Sequence, residues 1–187
     1  TNALNNGGWT GLTIKPSGGA RTISGSAASA LLVLNGTNNV TIDGSTSGGT
    51  DRSLTISNTN VAGGQQVIRM GSIGTTPITN DTIKNCIIIN GATTSSALVL
   101  TDTAGTTAGY FNNITIRNND IRRAYIATYN WAIVAAGNGS GLLVTQNKID
   151  TIGADAVRLV GVYVQGVDGG TISNNTIGNF SNADAEN

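Results

Sequence analysis

The chain of 187 residues has no histidine, one cysteine, two prolines and only 4% aromatic residues. Cys86 has no second cysteine to pair with, so the fold cannot depend on an internal disulfide. Charged residues make up 11% of the chain, ten of each sign, and no basic run is present, so we predict no nucleic-acid partner. No apolar run approaches the roughly 20 residues that cross a bilayer, so we also predict no membrane insertion.

Glycine, threonine, asparagine and serine are abundant instead, and β-branched apolar residues recur among them along the whole chain. The polar residues alone would be compatible with disorder, but the recurring apolar residues give the chain a core to bury. The composition therefore predicts a folded β-rich protein with polar turns.

One short pattern recurs along the chain and is most complete in NITIRNNDI (113–121), where Ile121 follows the anchor residue Ile116 by five positions. The other copies are VTIDG (40–44), LTISNTNV (54–61), DTIKNCII (81–88), LVTQNKI (143–149) and GTISNNTI (170–177). The six anchors are Ile42, Ile56, Ile83, Ile116, Val144 and Ile172. In five copies an apolar residue follows five positions later: Val61, Ile88, Ile121, Ile149 and Ile177. From Ile56 onward the anchors are 27, 33, 28 and 28 residues apart, which predicts a repeat of roughly 28 residues.

Asparagine follows most anchors by two positions, and we predict that these side chains form a ladder: Asn58, Asn85, Asn118 and Asn174. Asparagine tolerates positive φ, so the chain can bend sharply there between two short strands. A further apolar strand precedes each later anchor, from ALLVL (30–34) to VRLVGVYV (157–164). Repeats stacked at about 4.8 Å would pair every strand with its counterpart, and stacked asparagines could hydrogen-bond along the axis.

The pattern thus predicts an all-β fold, a parallel β-helix or β-solenoid of five or six rungs with three short strands per rung. We expect one such domain over residues 1–187. A β-sandwich also has short strands separated by turn signals, but it does not require the same offsets to recur every 28 residues.

The TIxNNxI-type units, from LTIKP (12–16) to TISNNTI (171–177), resemble the right-handed parallel β-helix of the pectate-lyase-like superfamily. The resemblance implies a right-handed, single-stranded β-helix and an inward asparagine ladder at Asn85, Asn118 and Asn174. IKPSGGARTISGS (14–26) and LVLNGTNNVTIDG (32–44) also resemble β-helix repeats of large secreted or surface proteins of bacteria. This second resemblance implies an extracellular or cell-surface location.

Many members of that superfamily cut acidic polysaccharides, so the resemblance also raises an enzymatic function. The hydrolase motifs NTD, DD, GHG and RIK do not occur, and no two of the nine aspartates are adjacent. Asp120 and Asp150 hold nearly equivalent places and could form a surface pair, although solvated turn residues are the simpler interpretation. VDGG (167–170) and IDGSTSGGTD (42–51) lack the alternating carboxylates of calcium loops, so we predict no metal and no cofactor.

The segment RRAYIATYNWA (122–132) is the best candidate for ligand binding. In an extended strand Tyr125, Ala127, Tyr129 and Trp131 share one side. Aromatic faces beside arginines can hold a sugar by stacking and charge-assisted hydrogen bonds. The predicted glycan site is Arg122, Arg123, Tyr125, Tyr129 and Trp131. The alternative is a lengthened loop whose aromatic residues shield the core.

Two smaller features have structural interpretations. Four threonines at outward positions could form a flat ladder of the kind found in ice-binding proteins: Thr55, Thr82, Thr115 and Thr171. Each rung offers only one threonine and Val144 interrupts the series, so β-propensity explains them well enough. Cys86 takes an asparagine position of the repeat, where we expect a small polar filler.

Neither end of the sequence shows a clear cap, and the chain starts at Thr1 without a methionine or signal peptide. We expect a segment of a longer repeat protein, whose partners are neighbouring rungs of the same protein or stacked protomers, and a polysaccharide. The sequence favours a non-catalytic stalk or adhesin module of a secreted or surface-anchored bacterial protein. A fragment of a polysaccharide lyase or glycoside hydrolase and a filament-forming structural protein remain alternatives.

Overall fold

The computed structural model describes residues 2–102 and 110–182, which form three six-stranded parallel sheets and one short strand pair. Sheet A contains Asn2–Asn5 (β1), Ala30–Asn35 (β4), Gln66–Gly71 (β7), Leu98–Thr101 (β11), Ile126–Trp131 (β15) and Val160–Gln165 (β18). Sheet B contains Leu12–Ile14 (β2), Val40–Asp43 (β5), Thr82–Lys84 (β9), Thr115–Arg117 (β13), Leu143–Thr145 (β16) and Thr171–Ser173 (β19). Sheet C contains Arg21–Gly25 (β3), Leu54–Asn58 (β6), Cys86–Ile89 (β10), Asp120–Arg122 (β14), Lys148–Ile149 (β17) and Thr176–Ile177 (β20). The short pair is Ile78–Thr79 (β8) with Phe111–Asn112 (β12), and Gly153–Asp155 forms a 3-10 turn.

Each turn of the chain passes through sheets A, B and C in that order, so the protein is an all-β parallel β-solenoid of about five turns. The predicted fold class, with three strands per turn, is confirmed. The described residues contain no helix that is long and apolar enough to span a membrane.

The turns are longer than the predicted repeat and average about 32 residues. In sheet B the predicted 28 residues separate Thr115, Leu143 and Thr171, whereas 41 residues separate Thr41 from Thr82. The extra residues leave the sheets at the corners, so the strand register is kept and only the connecting loops grow.

Columns of apolar side chains, one from each turn, form the core. Sheet B contributes Ile14, Ile42, Ile83, Ile116, Val144 and Ile172. Sheet C contributes Ile23, Ile56, Ile88, Ile121, Ile149 and Ile177. The inner members of both columns are fully buried, and each such isoleucine contributes roughly 1.5–3 kcal/mol relative to exposure.

One predicted copy of the repeat is out of register. Ile56 pairs with Ile23 and Ile88 in sheet C, so it does not share the column of Ile42 and Ile83. The units VTIDG and LTISNTNV are therefore the sheet B strand and the sheet C strand of one turn, separated by residues 44–53. The alignment was wrong because both strands share the same apolar alternation. Val61, predicted to be a core residue, is 72% exposed.

The predicted bend between sheets B and C is present at the corner that joins them. Asn85, Asn118, Gln146 and Asn174 occupy it in successive turns with φ of 59°, 50°, 58° and 54°. These values lie in the left-handed region, where asparagine is tolerated better than most residues. One residue in each of these turns therefore adopts a positive φ at the corner, and the side chain of the next residue points inward.

Candidate functional site

The five residues of the predicted glycan site lie on different parts of the rod. Arg122 ends β14 in sheet C, whereas Tyr129 and Trp131 lie in β15 of sheet A. Arg123 has φ of 51° and lies with Tyr125 at the corner between those two sheets. The segment thus runs from the end of a sheet C strand, around a corner, into a strand of sheet A, and it is not a lengthened loop over the rod.

Both arginines are paired with carboxylates. Arg122 donates through Nε and Nη2 to Asp120 at 3.0 and 2.6 Å, and this hydrogen bonding raises the pKa of the guanidinium. Arg123 donates to Asp155 Oδ1 from Nε at 2.9 Å and from Nη2 at 2.5 Å. Arg122 therefore stabilises its own strand, β14, and Arg123 stabilises the corner that follows it. Neither arginine is adjacent in register to Tyr129.

Tyr129 and Trp131 share the outer face of sheet A, as the alternation predicted, while Thr128 and Asn130 are buried on the inner side. Tyr125 lies before the strand, and its ring packs under the Arg158 guanidinium at 5.7 Å from the centroid. The aromatic surface of sheet A therefore starts at Tyr129.

Tyr163 completes this surface and was missed from the sequence. It pairs in register with Tyr129, and the two rings stack with centroids 4.8 Å apart and planes 2° from parallel. The signal was a tyrosine in both ATYNW (127–131) and VYVQ (162–165), but only the strand register shows that the two residues are neighbours. Their facing ring surfaces cover each other, and the Tyr163 hydroxyl donates to Gln165 Oε1 at 2.5 Å, which leaves the ring edges and the Tyr129 hydroxyl for a ligand.

Trp131 has a different environment from the stacked tyrosines. Its neighbours in register are Thr101 and Gln165, so no aromatic ring covers the indole from adjacent strands. A half-buried indole on a flat sheet offers an apolar face together with an N–H donor. Trp131 is therefore the side chain of this face best suited to stack on a sugar ring.

Val99 and Arg69 lie in register with Tyr129 on the next two strands of this outer face. Arg69 makes no hydrogen bond and no ion pair within residues 2–102 and 110–182. It borders a groove of about 440 Å³ that is also lined by Val33, Asn35 and Gln66. Sheet A thus presents an unpaired cation, a shallow groove and an aromatic end on one face, which together could contact an extended polar polymer.

Asp120 and Asp150, the predicted carboxylate pair, are each bound to a cation. Asp120 pairs with Arg122, and Lys148 Nζ lies 3.7 Å from Asp150 Oδ1. In register Asp120 lies beside Lys148 and not beside Asp150. The four side chains therefore alternate in charge on the outer face of sheet C, and the two carboxylates do not share a site.

The other described aspartates accept hydrogen bonds from the fold. Asp81 is fully buried and accepts from Thr37 Oγ1 and from Val40 N, and burial raises its pKa. Burial also raises the pKa of Asp43, but hydrogen bonds from Ser45 N, Asn85 and Lys84 outweigh it, so the net pKa is lowered. Asp102 accepts from Asn138 Nδ2 at 2.8 Å, and Asp168 from Gly137 N at 2.6 Å. Nowhere in the described part of the chain do three metal-ligating side chains come together.

The asparagines of the predicted ladder differ from one another. Asn118 Nδ2 donates to Asn85 Oδ1, and Asn85 Nδ2 donates to Asp43 Oδ1, both at 2.7 Å. Asn174 is exposed and its side chain makes no hydrogen bond to a described residue. Asn58 lies outside this series, since it ends β6 in sheet C, where its Nδ2 donates to three backbone carbonyls.

A second asparagine column lies one residue further along the chain and is directed inward. Asn119 donates through N and Nδ2 to Asn147 Oδ1 at 3.0 and 3.1 Å, and Asn147 repeats both bonds to Asn175 Oδ1. Cys86 holds the equivalent place in the preceding turn, and its N donates to Asn119 Oδ1. Burial raises the pKa of the Cys86 thiol to about 12, so the cysteine is protonated and inert at neutral pH.

The outward threonine column is longer than the sequence indicated. Its members in register on sheet B are Thr13, Thr41, Thr82, Thr115, Leu143 and Thr171. Thr55 belongs to sheet C, and the interruption is at Leu143, because Val144 points inward. The neighbouring column contains Asp43, Lys84 and Arg117, so this face carries charge beside its threonines.

Comparisons with protein-family models, with curated proteins and with solved structures find no match to this chain. The architecture established by the strand register, a β-solenoid with three parallel sheets, is therefore the level at which the chain is classified.

Proposed function

We propose that the chain is a non-catalytic β-helix module, a stalk or adhesin segment of a secreted or surface-anchored bacterial protein. The proposal includes membership of the right-handed, pectate-lyase-like β-helices, which rests on the resemblance of the repeats. The observation that supports the non-catalytic role is that the carboxylates are paired with other groups of the fold. Each of the eight described aspartates has a cation or a hydrogen-bond donor of the fold as its partner.

The outer face of sheet A is the proposed glycan-binding surface of this stalk. Trp131 offers an apolar ring face, Tyr129 of the stacked pair offers its hydroxyl group, and Arg69 offers charge on the same flat surface. A polysaccharide strand lying along the rod axis could contact these side chains in turn, since adjacent strands are about 4.8 Å apart. This arrangement replaces the predicted cluster, because Arg122 and Arg123 are not on the face.

Glycan-array binding of the wild type and of Trp131→Ala tests this surface. We expect the substitution to weaken glycan binding by at least about 10-fold, as loss of a central aromatic contact does. Tyr125→Leu is the matched control, because Tyr125 lies at the corner beside Arg158. Unchanged binding by Trp131→Ala, or an equal loss in Tyr125→Leu, contradicts the sheet A site.

Turnover assays on acidic and neutral polysaccharides separate the stalk from a lyase or hydrolase fragment. We expect no turnover by the wild type. Robust cleavage that disappears in Asp120→Ala and Asp150→Ala would overturn the non-catalytic role, because these were the paired carboxylates predicted for catalysis.

A filament-forming structural protein is the second candidate, favoured by the matching ends of the apolar columns. Sheets B and C begin with the partly buried Ile14 and Ile23 and end with Ile172 and Ile177, which are 51% and 43% exposed. A second copy stacked head to tail would continue both columns in the way that each turn continues the one before it.

Sedimentation and electron microscopy at increasing concentration test self-stacking. We expect rods of several protomers in the wild type and their loss in Ile172→Lys. Ile152→Lys is the control, because Ile152 is 73% exposed and lies before the 3-10 turn at Gly153, away from the end of the column. A monodisperse monomer at high concentration excludes the filament.

A further inference from the structure

The longest connection between sheets B and C is loop 44–53 (GSTSGGTDRS), between β5 and β6. Asp51 is its centre and accepts hydrogen bonds from three serines, Ser45, Ser47 and Ser53, and from the backbone and hydroxyl of Thr46. The hydroxyl bonds from Ser45 and Ser47 are the largest of the effects that hold the Asp51 pKa far below its usual range. The loop therefore has one internally bonded conformation around an ionised carboxylate.

The loop is also fixed to the corner between sheets B and C. Asn85 Nδ2 donates to Gly49 O at 3.2 Å, and Asn118 Nδ2 donates to Thr50 O at 2.9 Å. Arg52 donates from Nε to Asn118 O at 2.8 Å and from Nη2 to Asn118 Oδ1 at 2.7 Å. Two of the predicted ladder asparagines thus serve as the docking points of a loop that begins in another turn.

Between this loop and the outer face of sheet B lies a cavity of about 240 Å³, lined by Gly48, Gly49, Thr50, Lys84, Asn85 and Arg117. Lys84 Nζ lies 3.2 Å from Asp43 Oδ2, which leaves part of its ammonium free. Arg117 donates through Nε to Gln146 Oε1 at 2.8 Å, and its Nη groups have no partner among the described residues. The backbone N–H groups of Gly48 and Thr50 likewise donate to no described atom.

The charge balance of the cavity is positive. Asp43 and Asp51 offset two of the three cations of the loop and this face of sheet B, which are Lys84, Arg52 and Arg117, so one positive charge remains. Arg117 has no carboxylate within ion-pair distance in the described structure. An ammonium, a guanidinium fork and free backbone N–H groups are the donors that bind oxyanions in proteins, and the cavity contains all three kinds.

We propose that this cavity, formed by residues 48–50 with Lys84, Asn85 and Arg117, binds a small oxyanion such as sulfate or phosphate, free or carried by a larger ligand. The Arg117 fork and the Lys84 ammonium contact the anion from sheet B, while the amides of Gly48 and Thr50 close over it. The site is independent of the glycan-binding face proposed on sheet A, because different side chains on different sheets form the two.

Amide chemical shifts in NMR titrations with sodium sulfate, sodium phosphate and a sulfated disaccharide test the site at constant ionic strength. We expect saturable shifts at residues 48–50 with a dissociation constant of about 1 mM, which is within reach of so small a ligand. Tighter binding of the disaccharide than of sulfate identifies a group on a larger ligand, and equal binding identifies the free ion. The absence of saturable shifts at residues 48–50 with all three probes overturns the proposal.

Arg117→Gln is the first variant, and we expect it to weaken binding by about 10-fold, since charge-assisted hydrogen bonds are lost. Lys148→Gln is the matched control, because it removes the same charge from sheet C, where Lys148 faces Asp150. An equal loss in both variants shows non-specific attraction of the anion to positive charge and contradicts a built site.

Asp51→Asn distinguishes a preorganised cavity from simple electrostatics. The change makes the protein more positive by one charge, so electrostatic attraction alone predicts tighter oxyanion binding. We expect weaker binding by several-fold, because the loop loses the centre that orders its amides. Circular dichroism confirms that the solenoid remains folded, and tighter binding would overturn the role assigned to the loop.

Discussion

Adjacent asparagines at the corner between sheets B and C behave as two different residues. The inner column, Asn119, Asn147 and Asn175, is largely buried and bonds from turn to turn through backbone and side chain alike. The outer column runs from the buried Asn85 through the half-buried Asn118 to the exposed Gln146 and Asn174. Its asparagine side chains bond loop 44–53 at Asn85 and Asn118, and Gln146 accepts a hydrogen bond from Arg117. The pair NN thus combines a residue that joins the turns with a residue that bends the chain.

Burial decides this difference. A buried amide that loses its partners has no water to replace them, so its hydrogen bonds are costly to remove. An exposed amide exchanges its partner for water at little cost. An asparagine of the inner column therefore mainly affects the stability of the fold, whereas an asparagine of the outer column mainly affects the attachment of loop 44–53.

The largest effect is expected for Asn147→Ala. The substitution removes the acceptor of two bonds from Asn119 and the donor to Ile116 O, all buried, and should lower the free energy of unfolding by about 3 kcal/mol. Urea denaturation measures the change. Asn174→Gly is the control in the outer column, where glycine keeps the positive φ, and should change stability by less than about 0.5 kcal/mol. Equal losses would show that the two columns are energetically alike.

A smaller effect is expected for Asn118→Gly, which removes the side chain that bonds Thr50 O and Arg52 without straining the positive φ. We expect a loss of about 1–2 kcal/mol in the free energy of unfolding, together with faster proteolytic cleavage within loop 44–53. Limited proteolysis with mass spectrometry locates the cut. Cleavage elsewhere, with the loop still protected, would contradict the docking role of Asn118.

The smallest effect concerns Cys86, the member of the inner column that is not asparagine. Its pKa is raised from 9.0 to about 12 in the folded protein. The unfolded chain therefore loses the thiol proton first, and the stabilisation is complete below pH 9 and disappears as the pH rises towards 12. At about pH 9.5 we expect a loss of about 1 kcal/mol relative to neutral pH.

The alkaline loss is measured by urea denaturation of the wild type and of Cys86→Ala across this pH range. Other groups titrate there too, so the difference between the two proteins isolates the thiol. Identical pH dependence in both proteins would contradict the assignment to Cys86.

The sequence predicted what repeats and failed where the repeat is interrupted. The alternation around Ile83, Ile116 and Ile172 predicted strands, and the asparagines after them predicted the bend. The ten residues between Asp43 and Leu54 hid the fact that VTIDG and LTISNTNV belong to one turn, so Asn58 was placed in the wrong column.

The candidate sites depended on register even more strongly. Tyr163 lies 34 positions after Tyr129, and the stack exists only because loops of particular lengths bring the two strands together. The cavity proposed to bind an oxyanion joins loop 44–53 to Lys84 and Arg117 across three turns, a distance in sequence that no local pattern contains. Arg122 and Arg123 were assigned to the aromatic residues by sequence proximity, which a corner in the fold then separated.

Although the turns differ in length, the length of the solenoid depends only on how many turns it has. Turns of 28 and of 41 residues both add one strand to sheet B, so each advances the rod by the same distance, about 4.8 Å. Inserted residues change the girth of the rod and leave its length unaltered. A peptide tag placed in loop 44–53 should therefore leave the spacing between the two ends constant, whereas one added or deleted turn should change it by one fixed increment.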